Sequence, residues 1–323
     1  MIKNIVVTLD SNYVMPCGVM LFSLCKNNED AMIHVHAICD ESVTNLDKEK
    51  LEKTVRQFHS KEISFYEISG NPFDNYPNLH NVYLSKAAYY RLFITDILPN
   101  DVDKVLYLDC DLLVLQSLEE LYSIDLEGMA LAAVIDAWLA YDVSTYNRLR
   151  YTPSKLYFNS GVLLINLAYW RRNNVLSCFV DYLENHRDRV QAHDQDVLNA
   201  IFSDKKILLP LKFNLQEYFL YKNRRFYFWD YADSFLETIS KPVIIHYTVI
   251  KPWHKICRHP LKRLFFEYSD QTFWKDFKLQ KYPIRKTFKG KIKYILKKTL
   301  IALHISKKPG PIYLQEKDFK EYP

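Results

Sequence analysis

An apolar run, Lys104-Val105-Leu106-Tyr107-Leu108, ends in Asp109-Cys110-Asp111. Side chains alternate along an extended chain, so acids at i and i+2 project to one side. Two carboxylates that close repel each other unless a cation lies between them. Their oxygens suit Mg²⁺ or Mn²⁺, and an added imidazole would tilt the choice towards Mn²⁺. His246 offers that imidazole at the close of a second apolar run, Ile244-Ile245-His246. Lys251 follows within one loop, an ammonium able to face phosphate oxygens as a point charge. A third polar cluster, His193-Asp194-Gln195-Asp196, opens an apolar helical run. It reads equally as a helix start, with Asp194 or His193 as cap and the acids favouring the dipole. Either of the first two motifs alone also describes ordinary structure, a solvated turn or a satisfied histidine. Their combination points to a metal.

The elements that must carry these residues alternate. Ile5–Leu9 is a short apolar run, followed by a helical stretch through Met20, Leu21 and Leu24. Ile33–Cys39 predicts a strand, Val43–His59 an amphipathic helix and Glu62–Glu67 a strand. A helix over Ser85–Ile97 and strands at Lys104–Leu108, Met129–Ile135 and Gly161–Asn166 follow. Helices are expected over Val175–His186 and Asp194–Phe202, and regular structure returns at Pro242–His246. This β-α-β alternation argues for an α/β protein with a mostly parallel sheet flanked by helices. Ligands of such sheets sit beyond the carboxyl ends of the strands, where Asp109 and Asp111 lie.

Composition removes several functions. The 323 residues hold only six glycines, none spaced as G-x-G-x-x-G or a Walker loop, so Gly-rich phosphate cradles are excluded. Any nucleotide must be held by other means, such as a metal ion. The six cysteines are scattered without a C-x-x-C pair, which argues against zinc ribbons and for buried thiols in a cytosolic protein. No apolar stretch approaches the roughly 20 residues of a membrane span.

The order and spacing of several motifs resemble glycosyltransferase family 8, the retaining hexosyltransferases, and especially its bacterial lipopolysaccharide and lipooligosaccharide branch. The motifs are Thr8-Leu9-Asp10-Ser11-Asn12-Tyr13, Ser85 with Tyr90-Arg91-Leu92, Val105 to Asp111, Phe158-Asn159-Ser160-Gly161 to Asn166, Asp194-Gln195-Asp196, and His246-Tyr247-Thr248 with Lys251-Pro252-Trp253. They cover about residues 2–275. The resemblance implies a GT-A type, Rossmann-like fold, with Asp109, Asp111 and His246 binding Mn²⁺ (or Mg²⁺) against the diphosphate of a UDP-hexose. Thr8, Asp10, Asn12 and Tyr13 would hold the uridine, and Arg91, Asn159, Asp194 and Gln195 the donor sugar. Lys251 would meet the diphosphate, and Asp136 matches a position near sugar and acceptor. One departure stands out: Val249 occupies a usual glycine, and Lys251 lies five rather than six residues after His246. Gln195 is an amide and a poor nucleophile, so front-face attack by the acceptor is favoured, with Gln195 and Asp194 stabilising the cationic sugar. Two rivals are a non-catalytic sugar-nucleotide or glycan-binding relative and a haloacid-dehalogenase-type phosphatase. The latter wants its D-x-D on the first strand.

The net charge of +5 is uneven. Lys275 to Lys308 holds twelve basic residues and one acid, a segment charge of +11 that leaves −6 elsewhere. Within it, Phe288, Ile292, Ile295, Leu296, Thr299, Leu300 and Leu303 recur at helical steps among lysines. The reading is a catalytic body over 1–274 and a basic amphipathic helical tail over 275–323 suited to an anionic membrane interface. A helix packed on the body is the alternative. The acceptor would then be a glycan or lipid-linked glycan, and the place of action the inner face of the cell membrane. Nucleic acid is not expected, because the body is acidic and carries no nucleic-acid motif.

Overall fold

The computed structural model describes residues 2–69, 89–221, 235 and 238–282. Ten strands are present among them: β1 (Lys3–Leu9), β2 (Ile33–Asp40), β3 (Lys61–Ile68), β4 (Lys104–Leu108), β5 (Leu112–Val114), β6 (Leu131–Ile135), β7 (Phe158–Asn166), β8 (Lys206–Leu208), β9 (Leu215–Gln216) and β10 (Ile244–His246). Seven form one sheet in the order β3-β2-β1-β4-β7-β6-β8, and β5-β10-β9 form a small second sheet. Interior strands such as β1 and β4 are apolar on both faces because helices cover both. Ile5, Val7 and Leu9 belong to one hydrophobic cluster and Val6, Val105 and Tyr107 to the other.

The sheet is mixed. β1, β2, β3 and β4 run parallel, as the alternation predicts, whereas β7 is antiparallel to both β4 and β6. Helix α1 (Val14–Lys26) links β1 to β2, and α2 (Asn45–Arg56) links β2 to β3. The predicted Val43–His59 helix is shorter because Thr44 and Asp47 cap its start reciprocally. Of the helix expected over Ser85–Ile97, the described residues 89–97 are helical throughout, tightening to a 3₁₀ turn at Arg91–Phe93 between Tyr89–Tyr90 and Ile94–Ile97. Arg91 is buried there on acidic and carbonyl partners rather than on a solvent face.

The small sheet packs against α1, where Val114 N–H of β5 donates to Ser23 Oγ (3.0 Å). The segment that follows closes against the same helix. Tyr268 receives a hydrogen bond from Asn27 (2.7 Å), and Trp274 sits so close to Gly18 that a Cβ there would meet its ring at 2.0 Å. Contact with the body continues to Gln280, which pairs with Trp253 and Lys255, and to Tyr282, whose ring meets His254. Among the described residues no helix is long and apolar enough to cross a membrane. The basic amphipathic segment beyond residue 282 lies outside the described residues.

Candidate active site

β4 runs one pair past its formal end: Asp109 N–H donates to Gly161 O (2.9 Å), which fixes Asp109 against β7. The chain turns at Cys110 and enters β5. There Asp111 O accepts from Tyr247 N–H (3.0 Å), and His246 of β10 lies opposite Leu112. Antiparallel pairing of β5 with β10 therefore carries the imidazole to the two acids. His246 Nε2 lies 3.3 Å from Asp111 Oδ1 and 3.8 Å from Asp109 Oδ2. One ligand atom from each of the three residues falls within 4.8 Å of the others.

Each carboxylate commits its second oxygen elsewhere. Asp109 Oδ1 accepts from Arg91 (2.9 Å) and from the Tyr107 hydroxyl (3.0 Å), and Asp111 Oδ2 pairs with Lys251. Burial alone would raise the Asp111 carboxyl, but Lys251 and His246 hold it well below the usual carboxylate range. The remaining oxygens and Nε2 converge above Gly161, where a Cβ would stand 2.3 Å from His246 Cε1 and 2.8 Å from Asp109 Oδ2. Two carboxylates and one imidazole over a floor without a side chain are compatible with a divalent cation of the Mg²⁺/Mn²⁺ class.

The triad opens into a cleft of about 420 Å³, lined also by Asp136, Asn159, Lys251, Gln216, Trp138 and Tyr218. Asp136 follows β6. Its Oδ1 accepts from the N–H groups of Trp138 (2.9 Å) and Leu139 (2.7 Å), and its Oδ2 from Asn159 and Gln195 (both 3.1 Å). Gln195 turns its Oε1 to Ser160 N–H (2.9 Å). Asp194 is buried beside the Arg91 Nε (3.1 Å). Burial, opposed by Arg91 and helped by the charge of Asp109, pushes its carboxyl up to about 6.

Neither His193 nor Asp194 caps the helix His193–Phe202. That part of the expectation fails because Asp194 turns inward to Arg91. Asp196 takes the Gln191 and Ala192 N–H groups instead, while Arg148 and the Tyr157 hydroxyl bind it from below.

Thr8, Asp10, Asn12 and Tyr13 do not line the cleft. Thr8 lies near the end of β1, and Asp10, Asn12 and Tyr13 form the turn that follows it. Thr8 Oγ1 meets the Tyr107 hydroxyl (2.8 Å), Asp10 accepts from Asn12 N–H (2.9 Å), and the Tyr13 ring meets Trp253 edge-on. Burial raises the Tyr13 phenol, and the charges of Asp111 and Asp109 add to it.

Sequence reading passed over Asn214 and Gln216. Gln216 Oε1 accepts from Ala137 N–H (2.9 Å) and its Nε2 donates to Ile135 O (2.8 Å), which holds the end of β6. The available signal was period-two alternation in Phe213-Asn214-Leu215-Gln216, where polar residues occupy one face of an extended segment between apolar ones.

Comparison with known proteins agrees with this geometry. A family described as Glycosyl transferase family 8 matches residues 4–257. The chain is 31% identical to general stress protein A of Bacillus subtilis, over 84% of this chain and 95% of the relative. It is 28% identical to the lipopolysaccharide glucosyltransferase WaaO of Escherichia coli, over 90% and 84%. Its fold matches the crystal structure of galactosyltransferase LgtC in complex with donor and acceptor sugar analogues. That match has a TM-score of 0.73 and 27% identity, and covers 84% of this chain and 96% of that one. The strand-end acids, the returning histidine and a match over most of the length lead to one conclusion: the chain belongs to glycosyl transferase family 8, a family of glycosyltransferases with the GT-A fold.

Proposed function

We propose that this protein is a retaining, Mn²⁺-dependent hexosyltransferase that moves glucose or galactose from UDP to a surface-glycan or lipopolysaccharide-type acceptor. The carrying observation is the convergence of Asp109, Asp111 and His246 on the floor of a cleft that Asp136, Asn159 and Lys251 also line. A glucosyltransferase and a galactosyltransferase among the relatives support both sugars. The divalent ion, when bound, supplies Lewis-acid stabilisation of the departing diphosphate.

The protein's own side chains do the rest. Asp109, Asp111 and His246 hold the ion, and Lys251, swinging from Asp111, meets diphosphate oxygens as a point charge. The Thr8–Tyr13 turn receives the uridine, with Tyr13 able to stack on the base. Arg91, Asn159 and Asp136 orient the hexose. Gln195 is an amide and Asp194 is occupied by Arg91, so neither offers a free nucleophilic carboxylate, which supports front-face attack. Gln195 and Asp194 stabilise the cationic sugar, and the departing phosphate takes the acceptor's proton.

We further propose that residues 1–274 form the catalytic body. Residues 275–323 would seat it at the anionic inner face of the cell membrane, near a lipid-linked glycan acceptor. Sedimentation with anionic but not neutral vesicles tests the second point.

The main test is UDP release from UDP-glucose and UDP-galactose with Mn²⁺. Release that disappears in both Asp109→Ala and Asp111→Ala supports the enzyme. Tight UDP binding without turnover on any donor would favour the non-catalytic reading.

A further inference from the structure

Between the metal triad and the sugar-side carboxylate runs a chain of three buried side chains whose donor and acceptor ends can be assigned without ambiguity. Gly161 N–H can only donate, and it lies 3.1 Å from one terminal atom of the Asn159 amide. That atom is therefore Oδ1, and the Asn159 Nδ2 points to Asp136 Oδ2 at 3.1 Å, where a carboxylate needs a donor. The same Oδ1 lies 2.9 Å from the Asn214 amide, which must present its Nδ2 there. Asn214 is left with Oδ1 facing the His246 Nδ1 at 3.0 Å. A carbonyl-type oxygen accepts only, so Nδ1 carries hydrogen and Nε2 is the nitrogen turned to Asp109 and Asp111. Asn214 is fully buried and His246 and Asn159 nearly so, so each amide keeps these protein partners.

We propose that Asn214 is a positioning residue of the metal centre. It fixes the His246 ring with hydrogen on Nδ1 so that Nε2 is free for a divalent cation, and Asn159 anchors it to Asp136 on the sugar side. The inference rests on the metal reading of the triad and extends it to a residue that touches neither metal nor substrate. Partners of this type orient a ligating ring and raise its basicity, and their loss typically weakens metal binding about 10–100-fold. The chain also makes the metal floor and the sugar wall one hydrogen-bonded unit, so a change at Asn159 reaches His246 through a single intermediate.

Two measurements on the full-length protein test this: ring ¹⁵N NMR of labelled histidine at alkaline pH, and Mn²⁺ binding followed by the EPR signal of the free ion. The wild type is expected to show hydrogen on His246 Nδ1. Asn214→Leu is expected to mix the two tautomers and weaken Mn²⁺ binding about 10–100-fold. Asn214→Asp keeps an acceptor towards Nδ1–H while losing the donor towards Asn159 Oδ1, so it retains the tautomer although the link to Asn159 is broken. A wild-type ring with hydrogen on Nε2, or wild-type Mn²⁺ affinity in Asn214→Leu, overturns the inference. Should Asn214→Leu fail to fold, the wild-type spectrum and Asn214→Asp decide, and loss of the tautomer in Asn214→Asp overturns it. A wild type that shows Nδ1–H yet binds no Mn²⁺ supports the relay and overturns the metal reading of the triad instead.

Discussion

Around Asp109 and His246 each polar side chain takes at least one partner from a distant strand or loop: Arg91 for Asp109, Asn214 for His246, and Lys251, 140 residues away, for Asp111. The Ser11–Tyr13 turn is more sparsely held, by Asp10 accepting from Asn12 N–H, by Ser42 Oγ accepting from Ser11 N–H and by the edge contact of Tyr13 with Trp253. The first region is buried and cross-linked, so a change at one residue propagates to several others. The second is partly exposed and joined to the rest by fewer polar contacts, so a change there reaches fewer residues. A rigid floor suits charge that must be placed accurately, and a looser rim suits entry and release of the nucleotide in the function proposed above.

This contrast is sharpest in the effects of single substitutions. Asp111→Ala removes a carboxylate from the floor and leaves Lys251 without its partner. UDP release should fall about 1,000-fold or more, the equivalent of several kcal/mol of lost stabilisation. A loss under about tenfold would show that the floor is not the reacting centre.

Asp194→Asn tests the same region through pH in the metal-free protein. The folded carboxyl titrates at about 6 against an ordinary 3.8, so the folded state holds more protons between these values. Wild-type stability should therefore fall as pH rises from about 4 to about 6, by up to about 3 kcal/mol. Asp194→Asn should be flat over that window and gain on the wild type towards neutral pH. Urea unfolding across pH 4–7 measures this, and parallel curves for the two proteins would contradict it.

Gly161→Ala should push His246 and Asp109 apart, weakening Mn²⁺ binding about 10–100-fold and costing about 1–3 kcal/mol of stability. Calorimetric titration and thermal unfolding read the two effects. Smallest of all is Asp10→Ala on the rim. It should cost about 1 kcal/mol or less in stability and less than tenfold in UDP affinity. An effect there as large as that of Gly161→Ala would erase the distinction between floor and rim.

Much of the floor was legible because its chemistry sits at strand ends. An apolar run closed by D-x-D, and another closed by histidine, announce themselves by residue type and position. Their meeting depends on β5 pairing antiparallel with β10, and Leu112-Leu113-Val114 reads as nothing more than an apolar flank. Nor does the antiparallel direction of β7 leave a trace, since a strand buried on both faces has the same composition in either direction. Arg91 was placed on a helix and residues 89–97 are helical, but its burial between Asp109, Asp194 and Ser160 leaves no signal in the sequence. Asn214 was missed because a buried amide is recognisable only through its partners, and these come from residues 159 and 246.

The indole seated on Gly18 limits how far the molecule can be shortened. A stop codon just past Tyr282 deletes most of the lysine-rich extension and keeps every neighbour of the first helix among the described residues. One placed before Trp274 would strip a slab from that helix and leave a ring-shaped slot open to water. The two truncations differ by only a few residues, but the shorter product would report on an opened flank rather than on the missing extension.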